Sequence, residues 1–182
     1  AFTRRYTNNP ASTDPLNHDT TQLGGTFFWR VMPRTEILTQ VGYRRFDYVE
    51  SNSTQNSSET RFLVGVRWEA TAATAGTIKF GQQRKEFDSS SNPNFSSSSW
   101  DVGVRWSPLS YSVFDFATSK FTSESTGIGD AIVSKLYGVT WNHAWNSRLR
   151  TQALASYRND DFINSVPSRV DNTTSFGLRT NY

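Results

Sequence analysis

The chain has no cysteine, so it can build neither a disulfide framework nor a thiolate metal site or nucleophile. No apolar run approaches the roughly 20 residues that a membrane helix needs, so any insertion into a bilayer must be by strands. The opening residues Ala1 to Arg5 lack the apolar core of a signal peptide, and this end is expected to be a processed or truncated one. Hydrophobic residues make up only 35% of the 182, too few for a soluble domain that must fill a two-sided core. The net charge of +3 is too small to imply a nucleic-acid partner. Only two histidines are present, and they lie far apart in the sequence, at His18 and His143.

What the chain does have is aromatic residues, with six Trp, seven Tyr and thirteen Phe. Disordered chains are depleted in such residues, so low hydrophobicity here does not mean disorder. A sheet with one apolar face and one wet face reconciles the two figures, because only alternate residues need be apolar.

The pattern is a repeat. Gly65-Val66-Arg67-Trp68 recurs as Gly103-Val104-Arg105-Trp106, more loosely as Gly138-Val139-Thr140-Trp141, and again as Gly177-Leu178-Arg179-Thr180. Gly25 to Trp29 carries the same signature with its Trp displaced, and successive glycines are 40, 38, 35 and 39 residues apart. Each copy is followed by a short polar break (32–34, 71–74, 108–110, 146–148), then a second alternating segment, then a Ser/Asn/Asp/Gly-rich stretch (49–59, 88–96, 126–131, 163–170). Two strands of about 11 residues, a tight turn and a longer loop fill such a period.

Alternation is clearest where Phe62, Val64, Val66 and Trp68 oppose Arg61, Leu63, Gly65, Arg67 and Glu69, and where Trp100, Val102, Val104 and Trp106 oppose Asp101, Gly103 and Arg105. Tyr137 to Trp141 and Ser175 to Tyr182 follow suit, whereas Gln82 interrupts the apolar side of the strand carrying Ile78 and Phe80. The fold class expected is all-β: an antiparallel up-and-down transmembrane β-barrel, with about ten strands here. Residues 1–182 form one outer-membrane barrel domain, expected to be a fragment lacking strands at one or both ends.

Trp29, Trp68, Trp106 and Trp141 lie beside the short turns on the apolar face, with Trp145 nearby; Tyr43, Tyr48, Phe87, Trp100 and Phe162 lie toward the long loops. Two aromatic levels bounding an apolar band are what the interfaces of a bilayer select, and Trp29, Trp68, Trp100, Trp106, Trp141 and Tyr43 are the girdle candidates. Short turns then face the periplasm and long loops the exterior of a Gram-negative cell. A soluble sandwich is the competing architecture, but a face carrying Arg67, Arg105 and Arg179 cannot supply its second apolar layer.

The opposite face carries Arg30, Arg44, Arg61, Arg67, Lys79, Arg105, Arg150, Arg158 and Arg179, the pore-lining candidates, partly offset by Glu36, Glu69 and Asp101. Such a basic lining lowers the barrier for anions such as acidic sugars or phosphates. It can equally brace the wall through ion pairs. Gly65, Gly103, Gly138 and Gly177, on this same face, ease the bending of a curved sheet or leave room for neighbouring side chains.

No catalytic residues emerge. His18 falls on the long-loop side and His143 beside a short turn, separated by a membrane span of roughly 25 Å. Acidic residues are scattered; Asp14, Asp19, Asp160 and Asp161 read as solvated loop charges, and the Asn-x-Ser/Thr triplets at Asn52, Asn56, Asn94 and Asn172 as chance products of Ser/Asn-rich loops. No enzyme activity, metal or cofactor is expected.

The run Arg61 to Thr71, the following Lys79 to Phe87, then Trp100 to Pro108 and Tyr137 to His143 resemble the β-barrel porin family found in exopolysaccharide gene clusters, over roughly Thr20 to Tyr182. The resemblance implies an outer-membrane barrel linked to secretion of a surface polysaccharide, and it transfers no catalytic residues. The leading expectation is a passive pore that exports an anionic polysaccharide. The alternative is a structural or adhesive barrel with a plugged lumen, binding partners through its Ser/Asn-rich loops. Its surroundings would be outer-membrane lipid and lipopolysaccharide, with envelope proteins or further copies of the chain as protein partners.

Overall fold

A computed structural model describes residues 2–4, 16–50, 52–69, 73–124 and 129–182. Ten strands follow in order: β1 Phe2–Arg4, β2 His18–Met32, β3 Thr35–Tyr48, β4 Ser57–Trp68, β5 Thr74–Phe87, β6 Phe95–Leu109, β7 Ser112–Glu124, β8 Ala131–Ala144, β9 Arg150–Ile163 and β10 Arg169–Asn181. They form one antiparallel sheet in chain order, each strand hydrogen-bonded to the next. The sheet is not closed: β10 pairs with β9 and β1 with the start of β2.

The turns explain the order. Two-residue connections at Pro33-Arg34 and Ser110-Tyr111 join β2 to β3 and β6 to β7, each preceded by a register shift. Pro108 sits inside the second shift, where a missing N–H costs no ladder bond. Between β8 and β9, the Asn146 side-chain oxygen accepts the Arg148 and Leu149 amides, both at 2.9 Å, the Asn-built turn that short polar side chains favour. Ser51, residues 71–72 and residues 126–128 of the expected breaks and loops lie outside the described residues, as does Asp14.

The long strands overrun the alternating segments seen in the sequence. β4 begins at Ser57 and β6 at Phe95, inside stretches read as loop, because the strands continue past the apolar band with polar residues on both faces. Thus Ser58, Thr60, Gln82, Arg84, Glu86, Ser96 and Ser98 share the outward side above Phe62, Phe80 and Trp100. Gln82 is therefore no defect in alternation; it marks where the apolar band stops. Asp160 and Asp161 likewise belong to β9 rather than to a loop.

Above the pair Trp100–Lys120, β6 and β7 part. β6 stays with β5 up to Lys85–Phe95, while β7 stays with β8 up to Glu124–Ala131. The freed end of β7 lies over the inner face of β3 to β5. There Thr122 donates its amide to Gln83 Oε1 at 3.2 Å and accepts Arg44 at its carbonyl at 3.3 Å. Buried residues gather at this end: Phe46, Tyr48, Phe87, Ala131 and Val133, together with polar Glu59, Gln83, Lys85 and Thr122, while Leu38 and Leu63 are buried further toward the short turns.

Candidate functional site: the charged inner face

Strand register assigns every side chain to a face. Glu36, Leu38, Gln40, Arg44, Phe46 and Tyr48 share one face with Ser57, Glu59, Arg61, Leu63, Gly65 and Arg67 of β4. Carried through the sheet, that parity puts Lys79, Gln83 and Lys85, then Ser99, Asp101 and Arg105, then Asp115, then Arg150, Gln152 and Arg158, then Arg179 on the same inner side. Arg30, opposite Glu36, joins them. All nine basic candidates fall on one face.

The other face is apolar and open. Leu23, Phe27, Trp29, Val41, Tyr43, Phe62, Phe80, Trp106, Tyr137, Phe176 and Leu178 are all exposed, Phe176 at 80%. A contiguous apolar face of this extent calls for a covering apolar phase. The six girdle candidates are all on it. Trp100 and Trp106 are six residues apart on β6, a span of roughly 20 Å along the strand at about 3.3 Å per residue. Trp100 Nε1 donates to Thr118 Oγ1 at 3.0 Å and Trp141 Nε1 to Ser112 Oγ at 2.9 Å, so the polar edges of these rings are satisfied.

Three aromatics depart from the expected upper level. Tyr48, Phe87 and Phe162 lie on the inner face and are buried. Tyr48 is five residues from Tyr43, and an odd separation puts two side chains on opposite faces of a strand. Tyr137 and Tyr157, paired across β8 and β9 with ring centroids 6.3 Å apart, occupy the outward upper level instead.

On the inner face most cations have carboxylate partners. Arg67 and Arg30 share Glu36, at 2.5 and 3.4 Å. Arg44 Nε lies 2.8 Å from Glu59, Lys79 is 3.0 Å from Asp101, and Arg105 and Arg158 are each 2.7 Å from Asp115 and Asp160. Arg61 donates to Ser99 Oγ at 2.8 Å, and Arg67 also covers the Phe28 ring at 4.5 Å. At the long-loop end, fully buried Lys85 pairs with Glu124, which also accepts Tyr48 Oη at 2.9 Å. Glu59, Lys85 and Glu124 were not legible as site residues, since nothing in the sequence foretells that β7 folds over the wall. Arg150 and Arg179 have no carboxylate within ion-pair distance among the described residues.

His18 sits at the long-loop end of β2, opposite Tyr48, and His143 at the turn end of β8, opposite Thr151. The register thus keeps them at opposite ends of the sheet, and no nucleophile–base pair is formed between them.

An unbroken antiparallel sheet, apolar outside and charged inside, is the wall of a membrane β-barrel of the porin class. The chain belongs to the family described as Putative beta-barrel porin 2, whose model matches residues 5–182. No curated protein and no solved structure matches it. The family describes a barrel pore of the outer-membrane kind and names no polysaccharide.

Proposed function

We propose that the chain forms the wall of a passive outer-membrane pore through which an anionic surface polysaccharide is exported. The observation that supports this reading is that all nine basic candidates fall on the inward face of the sheet, opposite an exposed apolar face. A lumen with surplus fixed positive charge concentrates anions and lowers their barrier to passage. Lipopolysaccharide would contact the outward face, with envelope proteins meeting the exposed loops.

A second reading has its own observation: the end of β7 and β8 lies over the inner face of β3 to β5, and most inward cations are paired. A barrel narrowed in this way would serve as a structural or adhesive platform, with its Ser/Asn-rich loops outward.

Single-channel conductance in planar bilayers separates the two. Arg105→Ser leaves Asp115 unpaired, so an open pore should shift toward cations, and Arg105→Ser with Asp115→Asn should return close to the parent selectivity. Absence of any conductance would sink the pore reading in favour of the platform.

A further inference from the structure

Three inward arginines have no carboxylate within ion-pair distance among the described residues: Arg61, which is held by Ser99 Oγ and the Trp100 carbonyl, and the neighbours Arg150 and Arg179. Arg150 opens β9 and Arg179 lies near the end of β10, and the register pairs Arg150 with Asn181 and Gln152 with Arg179. The two guanidinium-bearing residues are thus diagonal on one face, about 7–8 Å apart at the backbone. Both line a hollow of about 440 Å³ at the turn-side end of β8 to β10, which holds no acidic residue. Three other hollows of the sheet each include at least one carboxylate: Glu69, Asp101 and Asp115 in one, Glu59 in another, and Glu36 and Glu69 in the third. Each of those three hollows sets its cations beside at least one carboxylate in the lining; this one holds two arginines and none.

The rest of the lining is suited to a polyhydroxylated body. Gln152 Nε2 donates to Asn142 Oδ1 at 2.9 Å, which leaves the other amide groups of that pair for a ligand, and Asn181 adds a third amide. Tyr111, half exposed in the β6–β7 turn, presents a ring at the rim against which a sugar face can pack.

We propose that this hollow is a binding site for an acidic sugar segment, with Arg150 and Arg179 holding its carboxylate or phosphate groups and the amides of Asn142, Gln152 and Asn181 meeting its hydroxyls. The proposal rests on the inner face being the lumen, and it puts recognition at the turn-side mouth, where a chain leaving the periplasm would enter. Guanidinium forks match planar oxyanions in two parallel hydrogen bonds, so a diagonal pair grips an acid group from both sides.

The test is calorimetric titration of the full protein, refolded in an uncharged detergent, with tetragalacturonate, maltotetraose and tripolyphosphate. The expected result is binding of tetragalacturonate that weakens at least about tenfold in Arg150→Gln/Arg179→Gln, since each lost charge-assisted bond is worth a factor of that order. Maltotetraose should bind at least about tenfold more weakly than tetragalacturonate on the same grounds. Arg150→Lys/Arg179→Lys should fall between parent and Gln variant, because the charge stays and the fork is lost. Heat-modifiable migration on a gel verifies that each variant has folded. Equal affinity of parent and Gln variant, or no binding by the parent, overturns the proposal. Tripolyphosphate binding as tightly as tetragalacturonate overturns the sugar assignment and leaves a bare anion site. Anion-selective conductance without tetragalacturonate binding sinks this site and spares the pore; binding without conductance does the reverse.

Discussion

Glycine illustrates how identical letters in a repeat can do different physical work. Gly65 and Gly103 occupy equivalent places in their copies, and both face inward. At Gly65 a β-carbon would collide with the Ile78 carbonyl and come within 2.9 Å of the Lys79 backbone, whereas at Gly103 nothing lies within 4 Å. Backbone cannot yield as a flexible side chain can, so β4 and β5 approach only because position 65 has no side chain. Gly65→Ala should therefore destabilise the barrel by about 1–3 kcal/mol, as overpacking does, and Gly103→Ala by less than about 0.5 kcal/mol, as at open surface sites. Denaturant unfolding of the refolded protein measures both, and equal losses at the two positions would refute the assignment. The sequence marks both glycines and cannot rank them, because the crowding comes from a neighbouring strand.

Strand ends are governed by asparagines that looked incidental. Asn56 precedes β4 and its side chain accepts the Tyr48 amide at 2.7 Å; Asn94 precedes β6 and accepts the Phe87 amide at 2.8 Å. Each closes a long loop by satisfying the last amide of the strand before it, and the two are separated by the same interval as Gly65 and Gly103. They belong to the repeat, although their Asn-x-Ser/Thr context suggested chance. The loop after β5 has a second clamp: Arg45 meets Asp88 through two bonds, at 2.8 and 2.5 Å. That hydrogen bonding holds the Asp88 carboxyl below the ordinary 3.8. A lowered carboxylate pKa adds stability above the ordinary value, lost as pH falls through the lowered one. Because the pair is well exposed, the loss should be small. Pepsin should cut the 88–94 loop faster in Asp88→Asn than in the parent at pH 4, with the difference fading near pH 2. A difference that persists at pH 2 would count against the clamp.

At the scale of the whole molecule, the departure of β7 from β6 decides how much of the inner face is open. The overlap is fixed by Lys85, Glu124, Tyr48, Gln83 and Arg44, a polar cluster whose members other than Arg44 are largely shut off from water. Removing one partner of a buried ion pair leaves the other charged and unsolvated, at a cost of about 3–5 kcal/mol, whereas replacing both by apolar groups can be near neutral. Glu124→Ala should therefore release the end of β7 and β8 and raise single-channel conductance. Lys85→Met/Glu124→Leu should keep the overlap and the parent conductance. Unchanged conductance in Glu124→Ala would mean that the overlap does not limit the lumen.

Composition and period alone determined the strand number, the up-and-down order, the two faces and the placing of Trp29, Trp68, Trp100, Trp106, Trp141 and Tyr43 on the apolar one. All of these follow from local alternation and turn chemistry, which any stretch of a dozen residues carries within itself. Only the tertiary structure decided that Tyr48, Phe87 and Phe162 turn inward, that Glu59, Asp115, Asp160 and Glu124 neutralise the inner cations, and that Arg150 and Arg179 are left without a carboxylate. Those outcomes depend on which residues of separate strands meet. Register and curvature fix that, and neither is written in any one segment of the chain.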